Sequence, residues 1–358
     1  MILPPKTSTP APSWAKNRVN IAKAATEAPS PQKYIVGHLP DEPGVYGLIL
    51  GSDGSRKSWL ALHIAIAVAG GTPVAQSPNG DRLWDVPEPG RVVYITSEDS
   101  QSVLSRRLYQ LAQQHQNSGL ELLEERLDLI PTSSGLSLLT TDPDGSLSPT
   151  PEFGELVTYC TGARLIILDP LADMFDAAES DDRAARAEVQ LLRELSQKTG
   201  AGVIGVHHLN KEGMLKGSAN HQSSRGSSRI GAGCRWALVL RPLDMAMKPE
   251  EIEMKGLVMG EWSQVLEAKA SYAEKRYENS YLRSIPMTGE NGISRYSAPV
   301  AAVLSTEGRS SPQESTRIPL SMKKHTEEEE KYKNCRKGEV FPDKSVKEGR
   351  KEAQYDLI

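Results

Sequence analysis

Short apolar runs alternate with longer amphipathic stretches through the first two thirds of the chain. Val45–Leu50, residues 91–96 (Arg-Val-Val-Tyr-Ile-Thr), 127–131, Arg164–Leu168 and Ala201–Val206 each read as a strand. Helical periodicity lies between them at 57–69, 101–116, 152–160 and 183–199. Apolar strands separated by amphipathic helices predict an α/β fold, with a parallel sheet flanked by helices on both faces. After residue 230 the pattern changes. Trp236–Arg241, Gln264–Ala270, Ser280–Ile285 and Ile293–Tyr296 read as the strands of a short β-meander.

The ends of the chain differ from the middle. Residues 1–32 are rich in Pro, Ala, Ser and Thr and read as a flexible arm, with a short helix possible within Trp14–Ala25 that could dock on a neighbour. Residues 305–358 carry twelve Lys/Arg and eleven acids, with few recurring apolar positions, and read as a charged disordered tail. Residues 33–304 then form the folded domain. They hold 26 basic and 34 acidic residues, a net of −8. Such a core does not bind nucleic acid through bulk charge, so any strand must meet a local basic lining. No run of about 18 apolar residues is present, which excludes a membrane-spanning helix. The first residues lack a signal-peptide core. Cys160, Cys234 and Cys335 lie far apart, without metal spacing. These features together read as a cytoplasmic protein.

The most informative segment is Gly51-Ser52-Asp53-Gly54-Ser55-Arg56-Lys57-Ser58, between the strand at 45–50 and the apolar run that opens at Trp59. Strand, small-residue loop and helix in that order make a phosphate cradle. Loop N–H groups and the helix N-terminus face the anion. Lys57 reaches the outer phosphates and the Ser58 hydroxyl can hold Mg2+. Gly51 through Trp59 are therefore candidate nucleotide-binding residues. One position departs from the motif, because Arg56 stands where a glycine is expected. Its side chain must point away from the nucleotide, or the loop must avoid positive φ.

Further candidates fall at strand ends. Asp169 closes the strand at 164–168 and is a second Mg2+ ligand, or else a helix cap. Pro170 follows it, so the water-activating acid must come from elsewhere. Glu98, just past the strand at 91–96, is the candidate base. Asp99 reads as a helix cap. His207 and His208 end the last core strand. Alternation turns His208 toward the phosphates and His207 away. The polar loop at 209–229 carries Lys211, Lys216, Arg225 and Arg229 and could line a path for a nucleic-acid strand.

Taken together, Gly51–Ser58, Glu98, Asp169 and His207-His208 resemble the RecA-fold P-loop ATPases. Ser224-Arg225-Gly226-Ser227-Ser228 and Cys234-Arg235-Trp236 make the chain similar to the RepA-type hexameric replicative DNA helicases of plasmids and phages. The resemblance covers about 33–300. It implies ATP and Mg2+ at Lys57, Ser58 and Asp169, with Glu98 activating water and His208 sensing the γ-phosphate. It also implies Arg235 as an arginine finger for the adjacent subunit, with Arg225 second. Single-stranded DNA and a homo-hexamer follow as expected partners. A recombination or repair ATPase on the same fold, and a regulatory module with weak hydrolysis, are the alternatives.

Overall fold

A computed structural model describes residues 15, 17–76, 82–114, 120–132, 135–175, 182–209, 228–243, 262–274, 280–288 and 295–302. The chain begins with a short exposed helix, α1 (Ile21–Thr26), and a ribbon of β1 (Tyr34–Val36) and β2 (Leu39–Pro40). Then come β3 (Tyr46–Gly51) and α2 (Lys57–Gly70), followed by a second ribbon of β4 (Val74–Gln76) and β5 (Arg82–Trp84). The next elements are β6 (Val92–Thr96), α3 (Gln101–Gln114), α4 (Leu120–Arg126) and β7 (Leu127–Pro131). A third ribbon, β8 (Leu139–Thr141) and β9 (Leu147–Pro149), precedes α5 (Pro151–Cys160), β10 (Leu165–Asp169), α6 (Asp182–Thr199) and β11 (Gly202–His208). The chain continues through α7 (Ser228–Gly233), β12 (Trp236–Pro242), β13 (Trp262–Ala270), β14 (Ser280–Thr288) and β15 (Arg295–Ala302).

Nine strands make one sheet in the order β15-β14-β13-β12-β3-β11-β10-β6-β7. The six from β12 to β7 are parallel, and β13–β15 extend the sheet antiparallel. The phosphate-loop strand β3 sits between β12 and β11, with β10 and β6 beyond. Trp236–Arg241 opens the expected meander, since β12, β13, β14 and β15 pair antiparallel in succession. It is also a core strand parallel to β3, because its first five residues are buried and need cover on both faces. In the arm, α1 covers Ile21–Ala25 of the segment expected to be helical and Thr26 beyond it, and Trp14 and Lys16 lie outside the described residues. The tail at 305–358 lies outside the described residues.

Alternation along each strand splits the core into two layers. In β10, Leu165 and Ile167 join α2 on one face, and Ile166 and Leu168 join α5 and α6 on the other. On the α2 face Trp236 is fully buried, edge-on to Trp84 at 5.4 Å. Its Nε1 donates to Glu267 Oε1 at 2.8 Å, and His38 Nδ1 meets the same oxygen at 2.8 Å. One tryptophan thus ties β12 to β5 and β13. Replacing Trp236 with Ala should cost about 3–5 kcal/mol of unfolding free energy in denaturant titrations, with m unchanged. A loss below about 1 kcal/mol would mean that the contact carries little.

Candidate functional site

Parallel strands bring their carboxyl ends to one edge. Register places His208 and Leu240 beside Gly51, and Asp169 beside Thr96. The phosphate loop rises from this edge. Gly51 is required there by close approach, since an added Cβ would lie 2.3 Å from Ser55 Oγ and 2.8 Å from the Leu240 carbonyl. Gly54 takes φ +71 in open space. Arg56 also adopts the left-handed conformation, at φ 73 and ψ 28. An L-residue pays roughly 1–2 kcal/mol for that. Its guanidinium points away from the loop, and Nη1 donates to Ser263 Oγ on β13 at 2.7 Å. Of the two options left open for Arg56, the loop thus takes the first and keeps positive φ.

Lys57 is buried, and its Nζ donates to the Ser52 carbonyl at 2.9 Å. Burial pulls its pKa down, while Asp53, Asp169 and Glu98 pull it up. Asp169 is 1% exposed. Alternation with Leu165 and Ile167 puts its carboxylate on the α2 face, where Tyr94 Oη donates a short hydrogen bond to Oδ2 and the Ser58 hydroxyl also bonds it. Burial pushes Asp169 up to about 6, against the lowering effect of these two hydroxyls, and Glu98 and Asp99 add to the rise. Tyr94 itself is raised well above the usual phenol range, first by burial and then by Asp169.

The loop and the strand ends meet at His208. Its Nδ1 lies 2.8 Å from Asp53 Oδ1, and its Nε2 lies 3.8 Å from Glu98 Oε1. Glu98 keeps half of its side chain in solvent. His207 is buried, and alternation turns it to the opposite face of the sheet. Asp99 was expected to cap α3. Its carboxylate is instead taken by Arg107, which reaches back two turns of the helix. Arg107 also lies over the Trp59 ring, 5.2 Å from its centroid, so Trp59 braces α2 against α3.

Two candidates lie elsewhere. Arg235 precedes β12 at the amino edge of the sheet, where its N–H bonds the Tyr46 carbonyl. Five residues of β12 separate it from the level of Gly51, about 16 Å along the strand. Arg225 and most of the 209–229 loop lie outside the described residues. Three contributors escaped the sequence reading. Tyr94 sits in an apolar strand with nothing to mark it. Ser263 is 207 positions from the arginine it holds. Only the His208–Asp53 contact had a trace, since both residues fall in segments already singled out.

The residues fit a magnesium–triphosphate group. Ser52 Oγ, Ser55 Oγ and Asp169 Oδ1 are buried without a hydrogen-bond partner. Such atoms are costly unless a ligand completes them. A serine hydroxyl beside an aspartate is the hard-oxygen set that Mg2+ takes when phosphates supply other ligands. Among the described residues no cluster of three His, Cys, Asp or Glu could hold a metal without such help. None of the helices among the described residues is long and apolar enough to cross a membrane.

A family model described as AAA domain matches residues 9–214, more than half of the chain. The chain belongs to this AAA-domain family. Solved structures resembling it include the RadB recombinase, at 16% identity and TM-score 0.43 over 70% of this chain and 90% of that one. Another is a KaiC-like protein from the hyperthermophilic archaeon Pyrococcus horikoshii OT3, at 14% identity and TM-score 0.41, over 75% of this chain and 100% of that one. As expected, the fold is α/β, with a mostly parallel central sheet flanked by helices.

The raised Asp169 carboxyl has a measurable consequence. Its folded pKa of about 6 exceeds the usual 3.8, so ionising it destabilises the fold. The penalty is absent below about pH 4 and complete above about pH 6. In chelator and without nucleotide, Asp169→Asn should be more stable than wild type at pH 7, by up to about 3 kcal/mol, and equal to it at pH 4. Equal melting curves for the two proteins at pH 7 would contradict this reading.

Proposed function

We propose that this AAA-domain protein is a Mg2+-dependent ATP hydrolase that assembles into a ring, a hexamer, and acts on single-stranded DNA as a replicative helicase. The observation that carries the ATPase part is the convergence of Lys57, Ser58, Asp169, Glu98 and His208 at one sheet edge, beside three buried oxygens without partners. The loop amides and Lys57 bind the phosphates. Ser58 and Asp169 hold the ion, which supplies positive charge against the phosphate oxygens. Glu98, half in solvent, accepts a proton from the attacking water. His208 bonds the terminal phosphate and, through Asp53, ties that contact to the loop.

The placement of Arg235 ties a finger role to assembly. At the far edge of the sheet it cannot reach its own phosphate loop, so a finger role requires the nucleotide of another copy. Hydrolysis would then depend on the oligomer. Release of the γ-phosphate contact at His208 would shift the chain that follows it, and the DNA strand with it.

Phosphate release, measured with and without single-stranded DNA, tests the whole reading. Wild type should be stimulated by DNA, and Lys57→Ala should lose nearly all turnover. Arg235→Ala should stay oligomeric and lose on the order of 10³ in rate. Full activity of an oligomeric Arg235→Ala protein would remove the finger. Filaments rather than closed rings in electron micrographs of the ATP-bound protein would move it to the recombination class.

A further inference from the structure

A glycine before the lysine would let the phosphate loop turn through positive φ at no cost. This chain makes the same turn with an arginine. A strained backbone persists only where its surroundings fix it, and here the surroundings are on the page. Arg56 Nη1 donates to Ser263 Oγ at 2.7 Å, and Ser263 is fully buried in β13, paired on both sides to Pro242 and Leu282. The neighbouring Gln264 accepts from Arg241 Nη2 at 2.9 Å, one residue past the level of Gly51. The antiparallel extension of the sheet therefore grips the phosphate loop directly.

We propose that Arg56 is a positioning residue, anchored by Ser263, whose guanidinium holds the phosphate loop in the conformation that receives Mg-ATP. The proposal rests on the ATP-binding reading of the loop. The direction of the N–H groups at Arg56 and Lys57 follows from φ and ψ at Arg56. A clamp on its side chain therefore replaces the freedom of glycine with a fixed turn. It also makes β13 part of the nucleotide site, through the bond from Arg56 to Ser263. An arginine at this position is then a fastening and not an obstruction.

Calorimetric titration of Mg-ATP tests this on wild type, Arg56→Ala, Ser263→Ala, the double variant and Arg56→Lys, with a melting temperature for each. Arg56→Ala and Ser263→Ala should each weaken binding about tenfold, the scale of one hydrogen bond to a charged group. The double variant should be no worse than the weaker single, since both cut one link. Arg56→Lys should recover to within roughly threefold of wild type, because its ammonium can still donate to Ser263. Ser263→Ala binding like wild type overturns the proposal, and so do additive losses in the double variant. A lowered melting temperature with an unchanged dissociation constant also overturns it, by leaving only a structural clasp. Wild type that takes up no Mg-ATP overturns the ATPase reading and this inference together.

Discussion

A carboxylate buried to 1% exposure needs company, and at Asp169 the company is incomplete. Tyr94 and Ser58 supply hydroxyls to it, while its Oδ1 has no partner. Lys57 is close enough to feel its charge, yet the ammonium bonds the Ser52 carbonyl and not the carboxylate. Burial thus works against both charges, raising the acid and lowering the base. A cation held by Ser58 and Asp169, with an anion against Lys57, would relieve both at once. The fold accepts this cost because β10 must be buried on both faces to form the centre of the sheet. Its last residue is then buried with it.

The sheet is lopsided, and that matters to the site. The parallel half delivers strand ends to one edge, as any parallel sheet must. The antiparallel strand β13 starts at this same edge, with Ser263 opposite Pro242. It brings Ser263, which bonds the Arg56 guanidinium from the side, and Glu267, which accepts from Trp236 of β12. Trp236 in turn packs within ring distance of the ribbon residue Trp84. The loop geometry therefore depends on contacts between segments some 200 residues apart in sequence.

That separation decides what could be read from the chain. Strands β3, β6, β10 and β11 were legible because each is a short apolar run bounded by polar residues. The residues at their ends followed from strand polarity alone. Alternation also separated His208 from His207, a local rule applied within two residues. The role of Trp236–Arg241 was not legible, since neither its apolar residues nor its turns say which strand it pairs with. Nor was Asp99, because a cap and an ion pair with Arg107 look alike until the helix is built. Tyr94 was hidden for the opposite reason: an apolar strand disguises a hydroxyl aimed at a buried acid. The placement of Arg235 depends on which way β12 runs, and only register fixes that.

Hydrogen–deuterium exchange with and without Mg-ATP probes the central claim at residue level. The account predicts new protection at 51–58, at 96–99 and at the end of β11, and no change at the amino end of β12 in the isolated subunit. Protection confined to other parts of the sheet, or none at all under saturating Mg-ATP, would contradict it.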